Sequence, residues 1–131
     1  MLKLGIRNEF MKRVLVVDDE EGIQEIVQSC LEILHGWEVY LAGSGMEALD
    51  KAEVHQPDVI LLDVSMPHVD GFTTLQQLRE GPITRRIPVI LLTAKVHPLE
   101  HEELEKFDIS GLIAKPFDPL KLAEQIMAIL P

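Results

Sequence analysis

Four short apolar runs, each ending in a polar residue, limit what this chain can fold into more than any other feature. Val14-Leu15-Val16-Val17 runs into Asp18 and Asp19, and Val59-Ile60-Leu61-Leu62 into Asp63. Val89-Ile90-Leu91-Leu92 runs into Thr93, and Leu112-Ile113-Ala114 into Lys115. Continuous Val- and Ile-rich runs read as strands of a parallel sheet buried on both faces, because helical crossovers cover such a sheet on each side. In open sheets of this kind, ligands bind beyond the carboxyl ends of the strands. The expectation is one small pocket that gathers three carboxylates, a hydroxyl and an ammonium.

The segments between the runs supply the crossovers. Ile23, Ile26, Val27, Cys30, Leu31 and Leu34 fall at i, i+3, i+4, i+7, i+8 and i+11, one stripe of an amphipathic helix. Trp37 to Leu41 predicts a further strand. Ser44-Gly45-Met46-Glu47 has the spacing of a capping box and opens a helix that Gln56-Pro57 ends. The loop from Asp63 to Gly71 leads into a helix from about Phe72 to Glu80, broken at Gly81-Pro82, and Pro88 introduces the next strand. A strongly acidic helix is expected around Leu99 to Phe107, anchored by Leu104 and Phe107. Asp118-Pro119 supplies an N-cap with proline at the first position of the last helix, which runs through Leu122, Ala123, Ile126, Ile129 and Leu130. Five strands alternating with five helices make an α/β sandwich around a parallel sheet. At 131 residues the chain is one domain, read as an N-terminal extension over 1–11 and the domain itself over 12–131.

Composition narrows the partners. Twelve basic against twenty-two acidic side chains leave a net charge of -10, which repels nucleic acid and anionic membrane surfaces. Cys30 is the single cysteine, so no intramolecular disulfide forms, which fits a reducing compartment. No apolar run approaches the roughly 20 residues that span a bilayer. The opening MLKLGIRNEFMK lacks the apolar core of a secretion signal, so the cytoplasm is the expected location. His97 and His101 are spaced i, i+4, but Pro98 lies between them and no third ligand is evident; they read as surface residues.

The pocket residues match one chemistry. Asp18, Asp19 and Asp63 crowd like charges at adjacent strand ends, which is destabilising unless something neutralises them. Without metal, replacing Asp18 or Asp19 by Asn is therefore expected to raise the melting temperature. A hard divalent cation with oxygen ligands neutralises such a cluster, and Mg²⁺ suits a site with few protein carboxylates. A carboxylate beside a metal is also a nucleophile toward a phosphoryl group. Phosphoryl transfer needs chiefly positioning and charge neutralisation, and the Lys115 ammonium and Thr93 hydroxyl suit the remaining phosphoryl oxygens. A plain metal or salt-bridge cluster is the simpler alternative.

Taken in order, these segments resemble the receiver domain of two-component response regulators, over about Lys12 to Leu130. The resemblance rests on VLVVDDE, LLDVSMPHVDG with Met66-Pro67 and Asp70-Gly71, LLTAK around Thr93, and AKPF with Lys115. It implies a flavodoxin-like, five-stranded parallel sheet in the order 2-1-3-4-5 with helices on both faces. It implies that Asp63 accepts a phosphoryl group from a histidine kinase or histidine phosphotransfer protein, with Mg²⁺ held by Asp18 or Asp19, Asp63 and the backbone carbonyl of Ser65. A cis Lys115–Pro116 peptide is implied too, a state that proline makes accessible.

By this resemblance the chain is a stand-alone signalling switch and not an enzyme acting on other substrates; it catalyses only its own phosphorylation and dephosphorylation. It acts on a downstream protein target, not on DNA or membrane, as a monomer or a phosphorylation-dependent homodimer. Leu112 stands where many receivers carry Tyr or Phe and reads as a strand residue filling that space. Ser65 and Lys95 occupy positions that in the family tune the lifetime of the phosphoryl group. A phosphatase of the haloacid-dehalogenase type also pairs an Asp nucleophile with Mg²⁺, but that class carries a second Asp where this chain has Ser65. A flavin carrier is disfavoured by the acidic loop after the first strand, since a flavin phosphate there needs hydroxyls and backbone N–H groups.

Overall fold

Each apolar run becomes a strand. The structure, a computed structural model, describes residues 12–64, 71–94 and 105–130. Its strands are β1 (Arg13–Val17), β2 (Glu38–Ala42), β3 (Val59–Asp63), β4 (Val89–Thr93) and β5 (Gly111–Ala114). All neighbours pair in parallel, in the expected order β2-β1-β3-β4-β5. The helices are α1 (Glu21–His35), α2 (Gly45–His55), α3 (Gly71–Glu80) and α4 (Leu122–Ile129), the last entered through a 3-10 turn at Pro119–Lys121.

The sheet is buried on both faces, which explains why its runs do not alternate. Val14, Val16, Leu61, Ile90 and Leu92 point to one face, where Val27 and Leu31 of α1 meet Leu122 and Ile126 of α4. Leu15, Val17, Ile60, Leu62, Val89 and Leu91 point to the other, against Ala48 and Ala52 of α2 and Leu75 and Leu78 of α3. Burying one such Leu or Ile contributes about 1.5–3 kcal/mol.

Helix ends follow local chemistry. Gly36, at φ +68, closes α1: its N–H donates to the Glu32 carbonyl at 2.9 Å and that of Trp37 to the Leu31 carbonyl at 3.1 Å. The Ser44 hydroxyl accepts from the Glu47 N–H at 3.2 Å, but the Glu47 carboxylate turns to Lys51 at 3.2 Å, so half of the capping box forms. The Asp118 carboxylate accepts from the Leu120 N–H at 2.9 Å, with Pro119 first in the turn.

The α1 stripe is only partly used. Val27 and Leu31 are buried, whereas Ile26 and Leu34 stay 47% and 54% exposed, and Ile33, off the stripe, 80%. The expected acidic helix is helical at 105–107; its earlier part falls outside the described residues, as do the N-terminal extension 1–11, His97 and His101.

At the amino end of the strands, the half-buried Arg79 guanidinium donates to four carbonyls. They are those of Phe107 (2.8 Å), Ile87 (2.8 Å), Arg85 (3.1 Å) and Asp108 (3.1 Å). One side chain thereby ties the end of α3 to the entries of β4 and β5.

Candidate active site

The carboxyl ends of β1, β3, β4 and β5 meet at one place. Asp18 continues β1 by one residue, its N–H still in the ladder to the Ala42 carbonyl at 3.0 Å. Its side chain is fully buried, and both oxygens are engaged: Oδ1 accepts from the Glu20 N–H at 3.0 Å and Oδ2 from Lys115 Nζ at 2.8 Å. Asp63 closes β3 almost as deeply buried, and its Oδ2 accepts from the same ammonium at 3.0 Å. Thr93 closes β4, is 8% exposed, and presents its carbonyl to the Lys115 N–H at 2.7 Å. The Lys115–Pro116 peptide is cis.

The electrostatics follow from this bridge. Burial pulls the Lys115 ammonium down, but hydrogen bonds and charge from Asp18 and Asp63 outweigh it, and its pKa is raised above the ordinary lysine value. One positive charge thus serves two buried carboxylates, and the site stays net negative. Asp19 and Glu20 add to that excess from the solvent side, with carboxylate oxygens of Asp18, Asp19 and Glu20 lying within 4.8 Å of one another. An all-oxygen, net-negative donor set of this kind fits a hard divalent cation.

Asp18, Asp63 and Lys115 are therefore brought into contact, Thr93 sits on the adjoining strand end, and Asp19 is exposed beside them. Ser65, Met66, Pro67, Asp70 and Lys95 lie outside the described residues. Sequence reasoning passed over Glu20, although its signal was the third acidic letter of VLVVDDE. It also passed over the reason for Gly71: a Cβ there would stand 2.9 Å from the Val64 Cα, so α3 starts hard against the residue that follows Asp63. Beside Lys115, a groove of about 460 Å³ opens between Ile23 and Ile26 of α1 and the Pro116-Phe117 segment.

The chain matches the response regulator receiver domain over residues 14–127. It belongs to that family. Among curated relatives, the receiver is 39% identical over 119 residues to the alkaline phosphatase synthesis transcriptional regulatory protein PhoP of Bacillus subtilis, covering 91% of this chain and 48% of the relative. It is 36% identical over 122 residues to the DNA-binding dual master transcriptional regulator RpaA of Synechocystis, covering 92% of this chain and 49% of that one. The chain spans about half the length of these relatives.

Among solved structures, the receiver resembles chemotaxis response regulator CheY4 of Vibrio cholerae, with a TM-score of 0.82 and 33% identity over 92% of this chain and 99% of that chain. It also resembles the receiver domain of sensor histidine kinase PA1611 from Pseudomonas aeruginosa PAO1, whose structure has a magnesium ion coordinated in the active-site cleft. There the TM-score is 0.77 and the identity 29%, over 90% of this chain and 96% of that one. In the present receiver Leu112 pairs with Leu91 and packs half-buried against the α2 and α3 side of the sheet.

Proposed function

We propose that this receiver is a phosphoacceptor switch. Asp63 takes a phosphoryl group from the phosphohistidine of a histidine kinase or phosphotransfer protein, and the phosphorylated state is read by a protein target. The observation that supports this most is the Lys115 ammonium, 2.8 Å from buried Asp18 and 3.0 Å from buried Asp63. In the proposed reaction an Asp63 oxygen attacks phosphorus, the P–N bond breaks, and its electron pair stays on the imidazole, leaving an acyl phosphate. Lys115 then pairs with one phosphoryl oxygen and the Thr93 hydroxyl donates to another. Asp19 and Asp63, with the Ser65 carbonyl that the family implies, are the residues to hold Mg²⁺; Asp18, its oxygens already engaged, stands behind them and aligns Lys115. When bound, Mg²⁺ supplies positive charge to the phosphoryl oxygens as charge shifts during transfer.

The chain acts on itself only, turning over no other phosphoester, and works in the cytoplasm as a monomer or a phosphorylation-dependent homodimer. Acetyl phosphate with Mg²⁺ tests the reading by intact-mass measurement. One added phosphoryl group per chain, absent in Asp63→Asn and without Mg²⁺, is expected. Equal labelling of Asp63→Asn, or many-fold turnover of varied phosphoesters, would sink it.

A further inference from the structure

One side chain outside the site is bonded to the main chain beside Asp19, where the acidic loop leaves β1. Where β1 and β2 part, the parallel ladder ends and the carbonyls of Asp18 and Ala42 lie side by side. The Gln24 carboxamide, one turn into α1, reaches back to both, its Nε2 lying 2.5 Å from the Asp18 carbonyl and 3.4 Å from that of Ala42. Its two N–H groups meet two acceptors, while the Gln24 main-chain N–H donates to the Glu20 carbonyl at 3.1 Å. The Asp18 carbonyl belongs to the peptide unit that carries the Asp19 nitrogen. With Asp18 already fixed through its N–H and both carboxylate oxygens, this bond sets the plane from which the exposed Asp19 side chain projects.

We infer that Gln24 is a positioning residue for the divalent-cation site, acting through the Asp18–Asp19 peptide and not by touching the ion. Loss of a group that orients a ligand from behind typically weakens metal affinity by about 10–100-fold. The inference rests on the proposed Mg²⁺ site at Asp19 and Asp63.

Gln24→Met keeps the length of the side chain and removes both donors, and Gln24→Asn keeps a neutral carboxamide too short to reach both carbonyls. Mg²⁺ is titrated into each metal-free protein and followed by amide NMR shifts, and labelling by acetyl phosphate is measured against Mg²⁺ concentration. For both variants we expect affinity about tenfold weaker, a half-saturating Mg²⁺ concentration raised by the same factor, a retained plateau rate, and a displaced Asp19 amide resonance in EDTA. A melting temperature that falls in EDTA while Mg²⁺ affinity stays within twofold of wild type would make Gln24 a structural tie only and overturn the inference. A wild-type protein that binds no Mg²⁺ would instead overturn the reading of the site itself.

Discussion

Lys115 holds two buried carboxylates at once. Replacing it by Met leaves Asp18 and Asp63 buried without their cation, and losing one partner of a buried pair costs about 3–5 kcal/mol; urea unfolding of Lys115→Met should show a loss of that order. The pH dependence has a definite sign. Because the folded pKa of Lys115 is raised, its contribution is fully present below the ordinary lysine value of 10.5 and is lost as pH rises through the higher folded value. The stability difference between wild type and Lys115→Met should be flat from neutral pH to about that value and narrow only above it.

Adjacent aspartates separate in the same way. Asp18 is buried and bonded through both oxygens while Asp19 is exposed, so in EDTA Asp18→Asn should lower the melting temperature and Asp19→Asn leave it unchanged or raise it. The sequence alone predicts one sign for both, from crowding. It shows which residue types meet at the strand ends, but not which of two neighbours turns inward, because that depends on a lysine 97 residues away.

Among elements, the strands were the most legible. A run that must be apolar on both faces leaves few alternatives, and each predicted strand lies within a residue or so of its place. Helix α1 was legible as a helix but not as a surface. Its periodicity marks an apolar side, and how far the sheet and α4 cover that side depends on packing that no local window contains. The α2 capping box was half right for a related reason: the Ser44 bond is local, whereas Glu47 had a competing partner in Lys51 one turn on. Ser44→Ala should therefore destabilise the fold by about 1 kcal/mol, the usual loss for an N-cap, and Glu47→Gln by much less, since exposed i, i+4 pairs are weak. Thermal unfolding of the two variants separates these contributions.

At the scale of the whole molecule, the net charge of -10 bears on output. Two of the relatives are named as transcriptional regulators, and this chain spans about half of each. With acidic groups in such excess, this chain by itself, phosphorylated or not, should show no salt-sensitive duplex binding at micromolar concentration in a fluorescence-anisotropy titration. Binding that weakens steeply with salt would mean that its few basic residues are grouped by the fold. The molecule also has two unlike ends. Asp18, Asp63, Thr93 and Lys115 gather at the carboxyl ends of the strands, while Arg79 donates to four carbonyls at the amino ends, a fork of donors that lysine could not imitate. The entries of β4 and β5 are thus tied to the end of α3 at one rim, and Asp18, Asp63 and Lys115 are tied to one another at the other. Under the proposed phosphorylation, a charge added at Asp63 would act first on the side chains and loops of the carboxyl rim, the rim opposite the Arg79 fork.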